Sequence, residues 1–132
     1  MLLNSEPLAE DLGLLLLRLG AGGTMVWSHG WSKLIHFTER MDSFGDPLGL
    51  GPAVSLALIT FAETICASLV ALGLWTRAST IPLLIGMAVA AFASHGGDIA
   101  GKGELSFIFL IAFATILLCG SGRFAIDRIS FK

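Results

Sequence analysis

Residues 52–75 read PAVSLALITFAETICASLVALGLW, and this stretch decides the fold. It carries a single charge, Glu63, near its middle. About 20 predominantly apolar residues cross the hydrocarbon core of a bilayer as a helix. A spanning strand would need alternating hydrophobicity and a closed barrel, and neither pattern is visible. The stretch therefore predicts a transmembrane helix.

Three more apolar runs flank it, at about 12–31, 79–94 and 104–120. The expectation is an all-α fold: a four-transmembrane-helix bundle forming a single domain over residues 1–132. Composition agrees. Apolar residues make up 55% of the 132 and charged residues 14%, with a mean hydropathy of +0.82. A soluble domain carries about 25% charged residues, so a water-facing surface is hard to cover here. A net charge of −2 and a pI near 5.8 argue against a nucleic-acid partner. The leader up to Asp11 holds Glu6, Glu10 and Asp11 and no basic residue, unlike a signal peptide. The first apolar run is expected to be retained.

The connections have their own patterns. Thr76, Arg77 and Ala78 are expected to link helices 2 and 3 as a tight antiparallel hairpin. Between helices 1 and 2, Leu34, Phe37, Met41 and Phe44 recur at steps of three and four. That spacing predicts a short interfacial amphipathic helix, broken by the run Gly45 to Pro52. Pro82 is expected in the first turn of helix 3, where its missing N–H costs little. Small residues at four-residue spacing, such as Gly86, Ala90 and Ser94, allow close helix packing in lipid; they suit a bundle or a homo-oligomer equally. Arg77, Arg123, Arg128 and Lys132 on one side face Lys33, Arg40 and Lys102 on the other. The bias places both termini in the cytoplasm. The expected location is the plasma membrane, with several passes.

Polar residues inside the spans point to the site. A charge at the centre of a spanning helix costs about 2.5–3.5 kcal/mol on insertion scales. Arg18 and Glu63 are therefore expected to face the bundle interior, as a strut between helices 1 and 2 or as a proton-active carboxylate tuned by an arginine. Near the opposite face, His29 and Lys33 are spaced i, i+4 and share a helix face. His95, Asp98, Lys102 and Glu104 cluster at similar depth. Headgroup contact explains such residues. A haem between His29 and His95, or a metal on His29, His95 and Glu104, is open to the same residues. A quinone-head pocket fits the electrostatics best, with His29 and Lys33 donating and Glu63 or Glu104 exchanging protons. The candidate site is therefore Arg18, His29, Lys33, Glu63, His95 and Glu104, with quinone as the cofactor and no assigned metal. Trp27, Trp31 and Trp75 are expected as interfacial belt residues. Cys66 and Cys119 are expected to stay unpaired, because their depths differ by more than a disulfide can span. No nucleophile motif, phosphate loop or dinucleotide fingerprint marks a self-contained enzyme.

The sequence resembles the DoxX family of small four-helix membrane proteins over nearly its whole length. Leu15-Leu16-Leu17-Arg18-Leu19, followed by His29-Gly30-Trp31-Ser32-Lys33-Leu34, resembles the family's first helix. Ala62-Glu63 and Ala71-Leu72-Gly73-Leu74-Trp75-Thr76-Arg77 resemble its second. His95 and Glu104-Leu105 resemble the end of its third helix and the start of its fourth. Gly120-Ser121-Gly122-Arg123-Phe124-Ala125-Ile126-Asp127 resembles its closing motif, with Phe124 and Ala125 in place of Tyr and Ser. The resemblance implies a membrane protein tied to quinone-linked redox work. Family members accompany a terminal quinol oxidase or thiosulfate:quinone oxidoreductases, and others serve thiol and superoxide defence through partner enzymes. The expected role is a redox-associated accessory subunit with a partner protein in the bilayer. A non-enzymatic scaffold using residues 34–44 and a small-solute or proton transporter are the alternatives.

Overall fold

Acids open the first helix and glycines close the turns that follow. The computed structural model describes residues 3–46, 48–94, 100–101 and 103–130. The first helix, α1, spans residues 10–35 as Glu10–Thr24, a π-turn Met25–Gly30, and Trp31–Ile35. Glu10 and Asp11 occupy its first turn, where negative charge complements the helix dipole. It stops at His36, which leaves helical geometry at φ −108°. A single turn follows, α2, Phe37–Arg40. The amphipathic pattern of residues 34–44 is thus split by the break at His36, and its first member, Leu34, belongs to α1.

Helix α3 runs Pro52–Leu72 and contains a π-turn, Ala62–Cys66. Proline at its first position needs no N–H partner. Asp46 covers the same end: its carboxylate accepts from the N–H groups of Leu50 and Gly51, both at 2.9 Å, and from the Ser55 hydroxyl at 2.8 Å. At the far end Gly73 sits at φ +77°. The N–H of Gly73 bonds the Val70 carbonyl and that of Leu74 bonds Leu69, a Schellman closure.

Helix α4 spans Thr76–Ala93. The hairpin link is therefore Gly73 to Trp75, three residues earlier than the sequence predicts, because Gly73 can turn left-handed and Thr76 finds a cap. Pro82 lies inside α4 rather than in its first turn, since the helix starts earlier. Helix α5 is Glu104–Cys119 and α6 is Ile126–Ser130. Among the described residues there is no strand.

Helices α1 and α3 pack antiparallel and close. A Cβ on Gly22 would lie 2.7 Å from the Ala67 carbonyl oxygen, and one on Gly30 would meet the backbone of Glu63. Helices α4 and α5 also pack along their length. Met25, Val70, Leu83, Met87, Phe109, Phe113 and Ile116 fill the core between them. Two helices, Pro52–Leu72 and Thr76–Ala93, are long and apolar enough to cross a membrane; Glu104–Cys119 is apolar but shorter. Only 39% and 33% of the two long helices' apolar windows is buried inside the protein. A core helix of a soluble domain would be mostly buried. Here the apolar surface instead faces outward, with Leu16, Leu58, Phe61, Ile65, Ile85, Ile108 and Ile111 about half exposed.

The end of the bundle that holds Glu10 and α6 is tied by one segment. Asp127 accepts from the Trp75 N–H at 2.6 Å, from the Thr76 N–H at 3.0 Å and from the Thr76 hydroxyl at 2.7 Å. Its own N–H bonds the Gly73 carbonyl at 2.8 Å. Asp127 thereby caps α4 and holds Trp75 at φ +48°. Asp11 accepts from the Arg123 N–H at 2.9 Å, so both ends of the chain meet there. Partial burial opposes charge on Asp127, but the Thr76 and Trp75 donors and the Arg18 charge outweigh it and hold the carboxyl below its ordinary value.

A depressed carboxylate stabilises the fold fully above its unfolded pKa, and that stability is lost as pH falls through the folded value. The affected window lies below about pH 4. Asp127→Asn is expected to be less stable than wild type at pH 7 and to lose less on acidification. Thermal unfolding in detergent from pH 7 to pH 3 measures both; parallel curves would contradict the cap.

Candidate functional site

Lysine side chains near helix ends ordinarily reach outward to water. Lys33, two residues before the end of α1, turns inward. Its Nζ lies 2.8 Å from Glu63 Oε2 and donates to Oε1 at 3.2 Å. The Glu63 side chain is 4% exposed and the Lys33 side chain 17%. The amine thus straddles the carboxylate. It reaches both carboxylate oxygens, Oε2 at the shorter distance.

The backbone explains how the two meet. Gly30 has no Cβ, so α1 lies directly against the Glu63 main chain. A π-turn closes i→i+5 bonds and rotates whatever follows it. Both partners sit at such turns: Met25–Gly30 precedes Lys33, and Ala62–Cys66 contains Glu63. The Thr64 hydroxyl bonds back to the Thr60 carbonyl at 2.6 Å and the Ser68 hydroxyl to Thr64 at 2.7 Å. These bonds help satisfy backbone groups where the α-pattern is interrupted.

The pair opens onto a cleft of about 670 Å³ between α3 and α4. Leu58, Ile59 and Phe61 line it from α3, and Ile85, Gly86 and Val89 from α4. Phe44, Leu48 and Leu50 close one end, and Ser106 of α5 reaches it. The volume is that of a small-molecule site, with apolar walls and few polar groups. Among the described residues, Lys33 and Glu63 are the charged members of its lining, one of each sign.

The six sequence candidates do not form one cluster. Lys33 and Glu63 come together. Arg18 does not meet Glu63: it is fully buried toward the chain-end side of the bundle. Its Nη1 donates to the Ala71 carbonyl at 3.1 Å, and its Nη2 donates to the Phe124 carbonyl. It caps the end of α3 and pins the closing segment. His29 turns away from Lys33 and packs edge-on against Phe109, centroids 5.7 Å apart. Glu104 is exposed in the first turn of α5, where an acid suits the dipole. His95 lies outside the described residues, as do Asp98 and Lys102. Among the described residues no three His, Cys, Asp or Glu side chains gather as metal ligands. Cys66 is buried and Cys119 exposed, both free. Trp27, Trp31 and Trp75 are exposed and stand outside the cleft lining.

Sequence reasoning missed three contributors. Asp127 stood in a quoted motif without a role; the helix start it caps, at Thr76, lies 51 residues away in sequence, so no local capping signal marks it. Gly86 was read as packing. Phe44 was read as part of an interfacial helix.

The class these features define is an all-helical protein with an apolar exterior and a buried ion pair beside a cleft between two helices that can cross a membrane. The DoxX family model matches residues 13–96. The chain belongs to the DoxX family, whose members are membrane-associated. An uncharacterized protein of Haemophilus influenzae is 30% identical over 115 residues, covering 79% of this chain and 81% of its own. No solved structure matches.

Proposed function

We propose that α1, α3, α4 and α5 cross the plasma membrane with both termini cytoplasmic, and that the cleft holds the head of a lipid-soluble quinone. In this reading the protein is an accessory subunit of a quinone-linked redox system. The observation that carries it is the Lys33–Glu63 pair, buried beside an apolar cleft.

The donor set fits such a head. An ammonium carries three N–H donors, and Glu63 does not use them all. Lys33 can therefore hydrogen-bond a carbonyl while still holding Glu63. The Glu63 carboxylate, an acceptor when ionised, can accept from a hydroxyl beside Lys33. The charge balance matters as well. Among the described residues, one cation and one anion leave the lining neutral, which suits a neutral head. A phosphate or carboxylate would add an unbalanced negative charge beside Glu63. The apolar walls suit a hydrocarbon tail. A bound quinone supplies reversible two-electron, two-proton chemistry. The chain has no haem-attachment or CxxC motif, so a partner protein supplies the electrons.

The test is bound quinone per protein, extracted after purification from native membranes in mild detergent. Wild type is expected to carry stoichiometric quinone, and a monodisperse, helical Glu63→Gln variant to lose most of it. No quinone in the wild type, or equal amounts in both, would overturn the reading.

A further inference from the structure

We infer that the cleft fills sideways, from the hydrocarbon layer through the seam between α3 and α4, and that Gly86 gauges the tail it admits. The inference rests on reading the cleft as a site for a lipid-soluble molecule, and it adds the route, the orientation and a specificity-determining residue.

The open side of the cleft is part of the apolar exterior. Leu58 and Phe61 on α3 and Ile85 on α4 line the cleft and are 55%, 47% and 59% exposed. A cleft flanked by such residues opens toward acyl chains, because an aqueous mouth would leave them against water. The polar end lies deep. Glu63 is 3% exposed and is paired there with Lys33 at 2.8 Å. A ligand therefore enters head first and leaves its tail in the seam.

The groove that takes the tail is cut into α4. Pro82, Gly86 and Ala90 line the cleft at successive turns. None of these side chains extends far from the helix. Gly86 is the tightest point: a Cβ there would lie 2.7 Å from Ile59 Cδ1, with no other atom within 4 Å. The obstacle is the tip of one flexible side chain. A methyl is accommodated by a small shift of Ile59, whereas a leucine occupies the groove. Gly86 touches neither Lys33 nor Glu63 in this arrangement. It can set tail width without altering the head site.

The experiment uses the full chain in lipid nanodiscs and two probes, a decyl-chain benzoquinone and its tail-less methyl counterpart. An added side chain in an apolar pocket changes affinity by about 10–200-fold. Gly86→Leu is expected to weaken the decyl probe by at least about tenfold and to leave the methyl probe nearly unchanged. Adding Ile59→Ala to Gly86→Leu is expected to restore much of the loss by reopening the groove. Gly86→Ala, which moves only the Ile59 tip, is expected to fall between wild type and Gly86→Leu, and it serves if the leucine variant does not fold. Equal weakening of both probes, or of neither, overturns the inference and leaves the head site standing. Binding of neither probe by the wild type overturns both.

Discussion

Arg18→Ala is expected to cost about 3 kcal/mol or more of stability, through the loss of two hydrogen bonds from a buried charged donor. The guanidinium is fully buried and donates to two main-chain carbonyls, Ala71 and Phe124. Hydrogen bonds from a charged donor contribute about 1.5–3 kcal/mol each. Alanine would leave the end of α3 with an unfilled volume and orphaned acceptors. It would also release the closing segment, because Phe124 precedes the Asp127 cap on α4. Arg18→Lys is expected to recover little. A single ammonium cannot fork between two carbonyls as a planar guanidinium does. Thermal unfolding in detergent reads the loss. Proteolysis after residue 120 reads the release of the segment. A variant as stable as wild type would show that the carbonyls find other partners.

Lys33→Met is the second large effect. It keeps the apolar stem of the lysine and removes its charge, which leaves Glu63 buried without its cation. Breaking a buried pair from one side costs about 3–5 kcal/mol. Lys33→Met combined with Glu63→Gln is expected to recover most of that stability, because replacing both members of a buried pair is often near neutral. Quinone binding is not expected to return with it. This separation distinguishes a functional pair from a strut. A strut would show stability and binding rising together in the double variant.

Much of the fold was legible because lipid imposes simple rules. The run beginning at Pro52 can be little other than a helix, although it ends at Leu72 and reverses over Gly73 to Trp75 instead of Thr76 to Ala78. Burial of Arg18 and Glu63 also followed from the cost of charge in hydrocarbon. Their partners did not follow. Arg18 bonds main-chain carbonyls at Ala71 and Phe124, and a carbonyl gives no signal in a sequence. Lys33 was grouped with His29 by α-helical spacing. In the structure Lys33 pairs with Glu63 of α3 while His29 packs on Phe109 of α5, and α-helical spacing does not show which neighbouring helix each residue meets. Gly30 was visible as a glycine, but its contact with the Glu63 backbone depends on how α1 crosses α3. The cleft arises from Pro82, Gly86 and Ala90 facing Leu58 and Phe61 across two helices. A one-dimensional pattern does not contain that juxtaposition.

The central claim is contact between the Lys33–Glu63 pair and a quinone carbonyl. Difference infrared spectroscopy of a carbonyl-labelled decyl-chain benzoquinone, bound to the full chain in nanodiscs, measures that contact. The account predicts a carbonyl stretch lowered by hydrogen bonding in the wild type, relaxing toward its free-lipid frequency in the Lys33→Met/Glu63→Gln variant. A carbonyl band at the free-lipid frequency in the wild type, or the same lowered band in both proteins, would contradict it.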